Sequence, residues 1–158
     1  MIEWFHPGFI FLFGALLIPV LKGKEKLKQA YLLLLPVIAF VNLILISKGV
    51  FGAGPFWQLS FMGYELTLGR IDRLSMVFAY IFVIASFCMI LYAIHIKENW
   101  QHVAAFLYVG STLGVVFAGD LFTLFFFWEI MAWASLLLIW YRRTKAAYGA
   151  GFRYIMVH

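Results

Sequence analysis

The sequence predicts an all-α membrane protein, and two features of its composition support this fold class. Hydrophobic residues make up 65% of the 158 residues and charged residues only 12%, with a mean hydropathy of +0.97, whereas soluble domains are about 25% charged. The net charge of +5 comes from short basic clusters between apolar runs, and no continuous basic face is present. We therefore expect a lipid bilayer, and no nucleic acid, as the partner of this chain.

Six apolar runs predict about five complete transmembrane helices and a truncated sixth. A helix of roughly 20 residues crosses a hydrocarbon core about 30 Å thick. Glu3, and no lysine, precedes the first run, so we expect no cleaved signal peptide. The predicted spans run from Trp4 to Leu21, Gln29 to Ser47, Leu74 to Ile96, His102 to Ala118 and Leu121 to Trp140, with the sixth from about Ala146 to His158.

The connection between the second and third spans has the alternating pattern of a β-hairpin. Apolar and polar residues alternate on both sides of Met62-Gly63, which has the length of a two-residue turn. We expect a small external hairpin that lies on the membrane surface and has a structural role. Such a turn pairs the apolar residues across the strands, Phe61 with Tyr64, Leu59 with Leu66 and Trp57 with Leu68.

The distribution of lysine and arginine between alternate connections predicts the orientation in the membrane. One side carries eight of these residues, within 22–28, at 97 and within 142–145, and the other side carries three, between 48 and 73. The positive-inside rule places the basic side in the cytoplasm and the N-terminus outside. We expect a multi-pass protein of the cell inner (cytoplasmic) membrane.

Glu129 is the residue that the sequence singles out for function. It lies nine positions after Asp120 and eleven before Trp140, near the middle of the fifth span. An acidic residue at that depth costs roughly 2.5–3.5 kcal/mol. Desolvation favours its protonated form and a nearby cation its charged form, so it can take up and release protons. Because the interiors of spans two to five contain no Lys, Arg or His, we expect the cation to come from beyond His158 or from another subunit.

A structural role for Glu129 is the alternative. A protonated glutamate that is hydrogen-bonded to Ser111, Thr112 or Ser135 would hold helices together without moving protons. Replacing Glu129 by glutamine would then leave transport unchanged.

Most other polar residues near the span ends are expected to be structural. Asp72 and Asp120 each precede a helix, where a carboxylate accepts hydrogen bonds from backbone N–H groups as an N-cap. His95 and His102 lie at the predicted water boundary without the carboxylate or thiolate cluster of a metal site. His158, deeper on the sixth span, is a candidate proton relay. We expect no catalytic residue, no metal and no cofactor.

Four segments of the chain resemble a known protein family. The resemblance is to the proton-conducting antiporter-like subunits of Mrp-type sodium/proton antiporters, membrane-bound hydrogenases and the complex I membrane arm. It is specific from about Asp72 to His158, looser in the two preceding spans, and closest in wording to the D-subunit branch of the Mrp antiporters. The segments are Arg70-Ile71-Asp72-Arg73-Leu74-Ser75, Phe117-Ala118-Gly119-Asp120-Leu121-Phe122-Thr123-Leu124, Phe127-Trp128-Glu129-Ile130-Met131 and Arg153-Tyr154-Ile155-Met156-Val157-His158.

The resemblance implies roles for three of these residues. Glu129 matches the fifth-helix glutamate that pairs with a lysine two helices later to move protons. His158 matches a sixth-helix histidine of the Mrp branch with a role in a water chain. Asp72 matches a loop-motif aspartate, but Arg73 stands where the family usually has glycine, so no special role is carried over to it.

The resemblance also implies the organisation and partners of the protein. Residues 1–73 would be the leading helices and the hairpin, and residues 74–158 the third helix and the truncated start of the first antiporter-like repeat. The chain would be the N-terminal part of a proton-translocating subunit, present as a fragment, a piece of a split subunit or a degenerate remnant. Its expected partners are other subunits of a membrane complex and protons, with sodium as the candidate coupled ion.

Two other functions remain open on the sequence alone. The chain could be a non-catalytic membrane-arm subunit of an energy-converting NADH:quinone oxidoreductase or hydrogenase complex. It could also be a structural membrane protein or gene remnant that transports nothing.

Overall fold

The structure, a computed structural model, describes residues 5–49, 55–61 and 63–158. Within these residues the chain forms six α-helices and one two-stranded antiparallel sheet. A 3₁₀ turn, Ile18–Leu21, extends the first helix; Pro19, which has no backbone N–H to donate, lies in this turn. The elements are α1 (Pro7–Leu17), α2 (Glu25–Gly49), β1 (Pro55–Phe61), β2 (Tyr64–Arg70), α3 (Arg73–Ala93), α4 (Asn99–Phe117), α5 (Leu121–Trp140) and α6 (Lys145–Val157).

Four of the described helices, α2 to α5, are long and apolar enough to cross a membrane. This confirms the prediction of a multi-pass, mostly helical membrane protein. The first apolar segment, Pro7–Leu21, is shorter than these four, and α6 has 13 residues. Trp4, the predicted start of the first span, lies outside the described residues.

Two helices begin earlier than the apolar pattern predicts. α2 starts at Glu25, four residues before Gln29, and α4 starts at Asn99, three residues before His102. Most of the added residues are polar, but Glu, Lys and Gln are good helix formers, so an apolar run underestimates the helix length. The consequence is that Lys28 becomes part of a helix.

The predicted hairpin forms in the predicted register. Phe61 pairs with Tyr64 and Leu59 with Leu66. The same register continues on both sides of Trp57, whose own φ is +56°. Met62 of the predicted turn lies outside the described residues, and Gly63 has a φ of +83°, a conformation that glycine adopts at little cost.

Helix α4 packs against α1, α3 and α5, and small residues allow two of these close approaches. A methyl group at Gly110 would lie 2.9 Å from the carbonyl oxygen of Gly8 on α1, and one at Gly114 would overlap the ring of Phe127 on α5. Helix α2 packs on α3, and α6 packs on α5. The buried core contains residues from both sides of the boundary expected at residue 73, and a division into 1–73 and 74–158 stays a prediction.

Candidate functional site

Glu129 is the ninth of the 20 residues of α5 and therefore lies near the middle of this span. Its side chain is half-buried, next to the face of α5 that packs on the rest of the bundle. Helix α5 packs closely on α4 near Glu129 because Gly114 on α4 leaves room for the Phe127 ring of α5. Further along α5, the Met131 sulfur lies 3.4 Å from the hydroxyl oxygen of Thr112 on α4. Glu129 therefore lies between two residues of α5, Phe127 and Met131, that contact α4.

The carboxylate of Glu129 has no hydrogen bond or ion pair within residues 5–49, 55–61 and 63–158. The three hydroxyl groups considered as structural partners are bonded elsewhere. Ser111, Thr112 and Ser135 donate to carbonyl groups one turn back on their own helices, at 2.7, 2.8 and 2.9 Å. Within the described residues, none of these hydroxyl groups is hydrogen-bonded to Glu129.

His158 lies beside Trp128, the residue that precedes Glu129. The Trp128 indole N–H donates to His158 Nε2 at 2.5 Å, and the two rings stack with centroids 5.7 Å apart. Tyr154 stacks on the same imidazole at 5.5 Å. Among the described residues no hydrogen bond joins this imidazole to the Glu129 carboxylate. His158 therefore contacts the residue that precedes Glu129 in the sequence.

Asp72 and Asp120 both stand at helix N-termini. Asp72 accepts a hydrogen bond from the Ser75 N–H at 2.7 Å, and the Ser75 hydroxyl accepts one from the Asp72 N–H at 2.9 Å, which completes a capping box for α3. Asp120 accepts hydrogen bonds from the Thr123 N–H at 2.8 Å and the Thr123 hydroxyl at 2.7 Å at the start of α5.

Asp120 also fixes the hairpin to the helical bundle. Its carboxylate accepts a hydrogen bond from the backbone N–H of Thr67 on β2 at 2.6 Å, and the Gly119 N–H donates to the Thr67 carbonyl at 2.9 Å. Partial burial acts to raise the pKa of Asp120, but hydrogen bonds from Thr123, Thr67 and Phe122 outweigh it and hold the pKa below its ordinary value. The charged carboxylate therefore joins the α4–α5 connection to the hairpin.

Several known proteins are similar to this sequence. No family model matches it. The A subunit of the Na⁺/H⁺ antiporter of Alkalihalophilus pseudofirmus is 31% identical over 150 residues, which cover 86% of this chain and 18% of the relative. The A1 subunit of the Na⁺/H⁺ antiporter of Staphylococcus haemolyticus is 32% identical over 149 residues, with the same two coverages. The chain belongs to the antiporter-like membrane subunit family. It spans less than a fifth of the length of these relatives.

A solved structure agrees with the family assignment. A chain in the structure of the membrane-bound sulfane sulfur reductase, an archaeal respiratory membrane complex, matches this one with a TM-score of 0.75 at 25% identity. The match covers 85% of this chain and 22% of the other. The predicted family is confirmed. The two bacterial relatives are A-type subunits, and a closer likeness to the D branch stays a prediction.

The structure contains a buried cation that the sequence did not predict. Lys28 is 1% exposed on α2, and its Nζ forms an ion pair with Glu25 at 2.9 Å. The same Nζ donates to the Lys97 carbonyl at 3.1 Å and to Asn99 Oδ1 at 3.0 Å. The sequence pattern assigns Lys28 to a solvated connection because it is one of four alternating lysines. The signal for its burial is its helical spacing with Leu32 and Leu35, both buried.

Two histidines are also more buried than the sequence suggests. His102, expected at the water boundary, is 3% exposed, and its ring donates to the Ile96 carbonyl at 2.9 Å. His6 caps α1 by accepting a hydrogen bond from the Gly8 N–H, and its buried ring stacks on Phe127 of α5. Across the described residues, no group of three or more His, Cys, Asp or Glu side chains is arranged to hold a metal.

Proposed function

We propose that this chain is the N-terminal part of a proton-translocating antiporter-like subunit in which Glu129 carries the proton. One observation supports this role most directly. Glu129 stands in the middle of an apolar span and has no partner among the described residues, while the hydroxyl groups that could bind it donate to their own helices. A carboxylate inside a membrane is stable when it is protonated or when it meets a cation.

The proposed cycle alternates between these two states of Glu129. In the first state the carboxyl group carries the proton and no cation is near it. When a cation from elsewhere in the assembly approaches, the charged form becomes favourable and the proton leaves. A lysine two helices further along, as the family resemblance implies, is the proposed cation. This cycle consists only of proton transfer, so we propose no residue that catalyses a chemical reaction.

His158 is the proposed proton relay for this carboxyl group. Its Nε2 accepts the hydrogen bond of the Trp128 indole, so the other ring nitrogen, Nδ1, carries the proton in the neutral ring. An imidazole can accept a proton on one nitrogen and release one from the other. We propose that a water chain connects His158 with Glu129, because their side chains share no direct bond in the described part of the chain.

The proposed arrangement in the membrane has five complete helices and a truncated sixth, with the N-terminus outside the cytoplasmic membrane. The basic residues at the starts of α2 and α4 and between α5 and α6 support this orientation through the positive-inside rule. The hairpin then lies on the outer side. The proposed partners are the other subunits of a membrane complex, with sodium as the coupled ion.

The test is the Glu129→Gln variant in the complete assembly. In everted membrane vesicles, sodium-dependent proton movement, followed with a pH-sensitive fluorescent dye, should fall to the level of vesicles without the assembly. Glutamine has nearly the same shape but cannot release a proton at neutral pH. Glu65→Gln on the exposed hairpin is the matched control and should transport normally. Normal transport by Glu129→Gln would support the structural alternative instead.

A membrane-arm subunit of an energy-converting oxidoreductase is the second candidate. The observation that favours it is the TM-score of 0.75 with a chain from a respiratory membrane complex. In that case, proton movement should require an electron donor such as NADH and should persist without sodium. A sodium gradient that drives proton movement without any electron donor would favour the antiporter. Glu129→Gln should abolish proton movement in both.

A further inference from the structure

A cavity of about 400 Å³ with four charged residues in its lining opens between the start of α2 and the α3–α4 connection. Lys22 and Glu25 line one side of it, and Lys97, Glu98 and Trp100 line the other. Its volume falls within the range of small-ligand sites, roughly 300–1,000 Å³. The cavity lies at the ends of helices, whereas Glu129 lies at the middle of α5, so the two sites are separate.

Among the charged residues that line this cavity, the two glutamates form ion pairs within the described residues and the two lysines do not. Glu25 is paired with Lys28 at 2.9 Å, and Glu98 with Arg143 at 3.2 Å, and both of these cations lie outside the lining. The ammonium groups of Lys22 and Lys97 have no ion pair within the part of the chain that the structure describes. The cavity therefore presents these two positive charges to a ligand.

The buried Lys28, although outside the lining, fixes two of the lining residues. Its ammonium group donates to the Lys97 carbonyl at 3.1 Å and to the Asn99 side chain at 3.0 Å, which ties the α3–α4 connection to α2. A connection that is held at two nearby residues keeps its shape without a ligand. Binding then requires little ordering of the backbone, and this favours affinity.

The position of the cavity points to the membrane interface. Helices α2 and α4 both begin there, and Trp100 is 59% exposed at its edge, where indole rings favour the head-group level. The residues at this end of the bundle include eight lysines and arginines but two glutamates. Basic pockets between membrane helices on the cytoplasmic side suit anionic lipid head groups.

We propose that this cavity binds the phosphate head group of an anionic phospholipid of the phosphatidylglycerol type. Lys22 and Lys97 bind the phosphate oxygens from opposite sides, and Trp100 packs along the glycerol and upper acyl chain. The ion pairs of Glu25 and Glu98 keep these two carboxylates from repelling the phosphate. The site holds the inner ends of α1, α2 and α4 in one plane of the bilayer.

The test compares two double variants of the full polypeptide that carries this sequence. Lys22→Gln/Lys97→Gln removes the two cavity lysines, while Lys24→Gln/Lys26→Gln removes two exposed lysines outside the lining. Lipid binding is measured by native mass spectrometry after exchange into phosphatidylglycerol/phosphatidylcholine vesicles and into phosphatidylcholine vesicles. We expect the wild type and the control to retain one phosphatidylglycerol, and the cavity variant to bind it about thirtyfold more weakly, at about fivefold per lysine.

Two results would overturn the proposal. An equal loss of phosphatidylglycerol from both double variants would mean that the attraction comes from the basic surface as a whole. Equal thermal stabilisation of the wild type by soluble glycerol phosphate and by phosphatidylglycerol would mean that the ligand is a free phosphate compound. If the cavity variant does not fold, the wild-type protein is instead crosslinked to a photoactivatable phosphatidylglycerol, and the crosslinked residues are identified. Crosslinks within residues 97–100 or 22–25 support the site, and crosslinks confined to other residues contradict it.

Discussion

Two ionisable side chains inside this bundle, Lys28 and Glu129, have opposite surroundings. The Lys28 ammonium group is 1% exposed and has three acceptors, the Glu25 carboxylate, the Lys97 carbonyl and the Asn99 amide oxygen. An ammonium group has three protons, so its hydrogen-bonding capacity is filled. The half-buried Glu129 carboxylate has no partner within the described residues.

This difference distinguishes an ionised group with a structural role from a group that is available for proton transfer. When all the hydrogen bonds of a buried ion are made, a change in its protonation state is unfavourable because it leaves several buried groups without a partner. An intramembrane carboxylate without a partner can exchange a proton without breaking any bond. By this criterion Lys28 stabilises the fold, and Glu129 is the better candidate for proton transfer.

The largest expected effect on stability comes from removing the charge of Lys28, with Glu129→Gln as the comparison. Lys28→Met should lower the free energy of unfolding by about 2–4 kcal/mol, somewhat less than the 3–5 of a fully buried pair because Glu25 is half-exposed. Glu129→Gln should change it by less than about 0.5 kcal/mol, because no bond within the described residues is lost. Thermal unfolding in detergent measures both, with Lys26→Met as the exposed control. A Glu129→Gln variant as unstable as Lys28→Met would remove the distinction.

The second expected effect concerns the contact that positions α5. Gly114→Val should cost about 1–3 kcal/mol, because the added side chain overlaps the Phe127 ring on α5. We expect a lower thermal midpoint and, in the complete assembly, reduced proton movement because Glu129 is displaced with its helix. Gly149→Ala on α6 is the matched control, since nothing in the described structure lies within 4 Å of its added methyl group. Unchanged stability of Gly114→Val would mean that α4 and α5 are not held at this glycine.

The structure explains which of these features the sequence could predict. The spans α3 and α5, the hairpin register and the mid-helix position of Glu129 follow from hydrophobic periods and residue counts, which depend on local chain geometry. The burial of Lys28 and His102 does not, because both lie in polar helix starts that an apolar-run criterion excludes from the spans. The acceptors of Lys28 include groups of the α3–α4 connection, far away in the sequence, and no local pattern indicates such contacts.

The sequence predicts the helix cap at Asp120 but not its hydrogen bond to the hairpin. An N-cap can be inferred from an aspartate before an apolar run, and the Thr123 N–H bond matches that expectation. The bond to the Thr67 N–H, 53 residues away, depends on the hairpin folding back over the α4–α5 connection. That contact is set by tertiary packing and has no signature in either segment alone.

The third expected effect, of similar size to the second, concerns Asp120, a hydrogen-bonded carboxylate at the opposite end of the bundle from Lys28. Asp120→Ala should cost about 1–3 kcal/mol, because it removes a helix cap and leaves the Thr67 N–H without its acceptor. Asp72→Ala is the control: it removes a helix cap without a hairpin contact and should cost about 1 kcal/mol. Thermal unfolding measures both, and equal costs would show that the hairpin bond contributes nothing.

The pH dependence of this difference has a definite sign. The pKa of Asp120 is lower in the folded state than the ordinary value of 3.8, so its stabilisation is fully present above about pH 4. As the pH falls through the lowered folded-state pKa, the carboxylate becomes protonated and this stabilisation is lost. The gap in thermal midpoint between the wild type and Asp120→Ala should therefore stay constant from neutral pH to about pH 4 and shrink below it. A gap that grows below pH 4 would mean that the neutral carboxyl group holds the hairpin better than the carboxylate does.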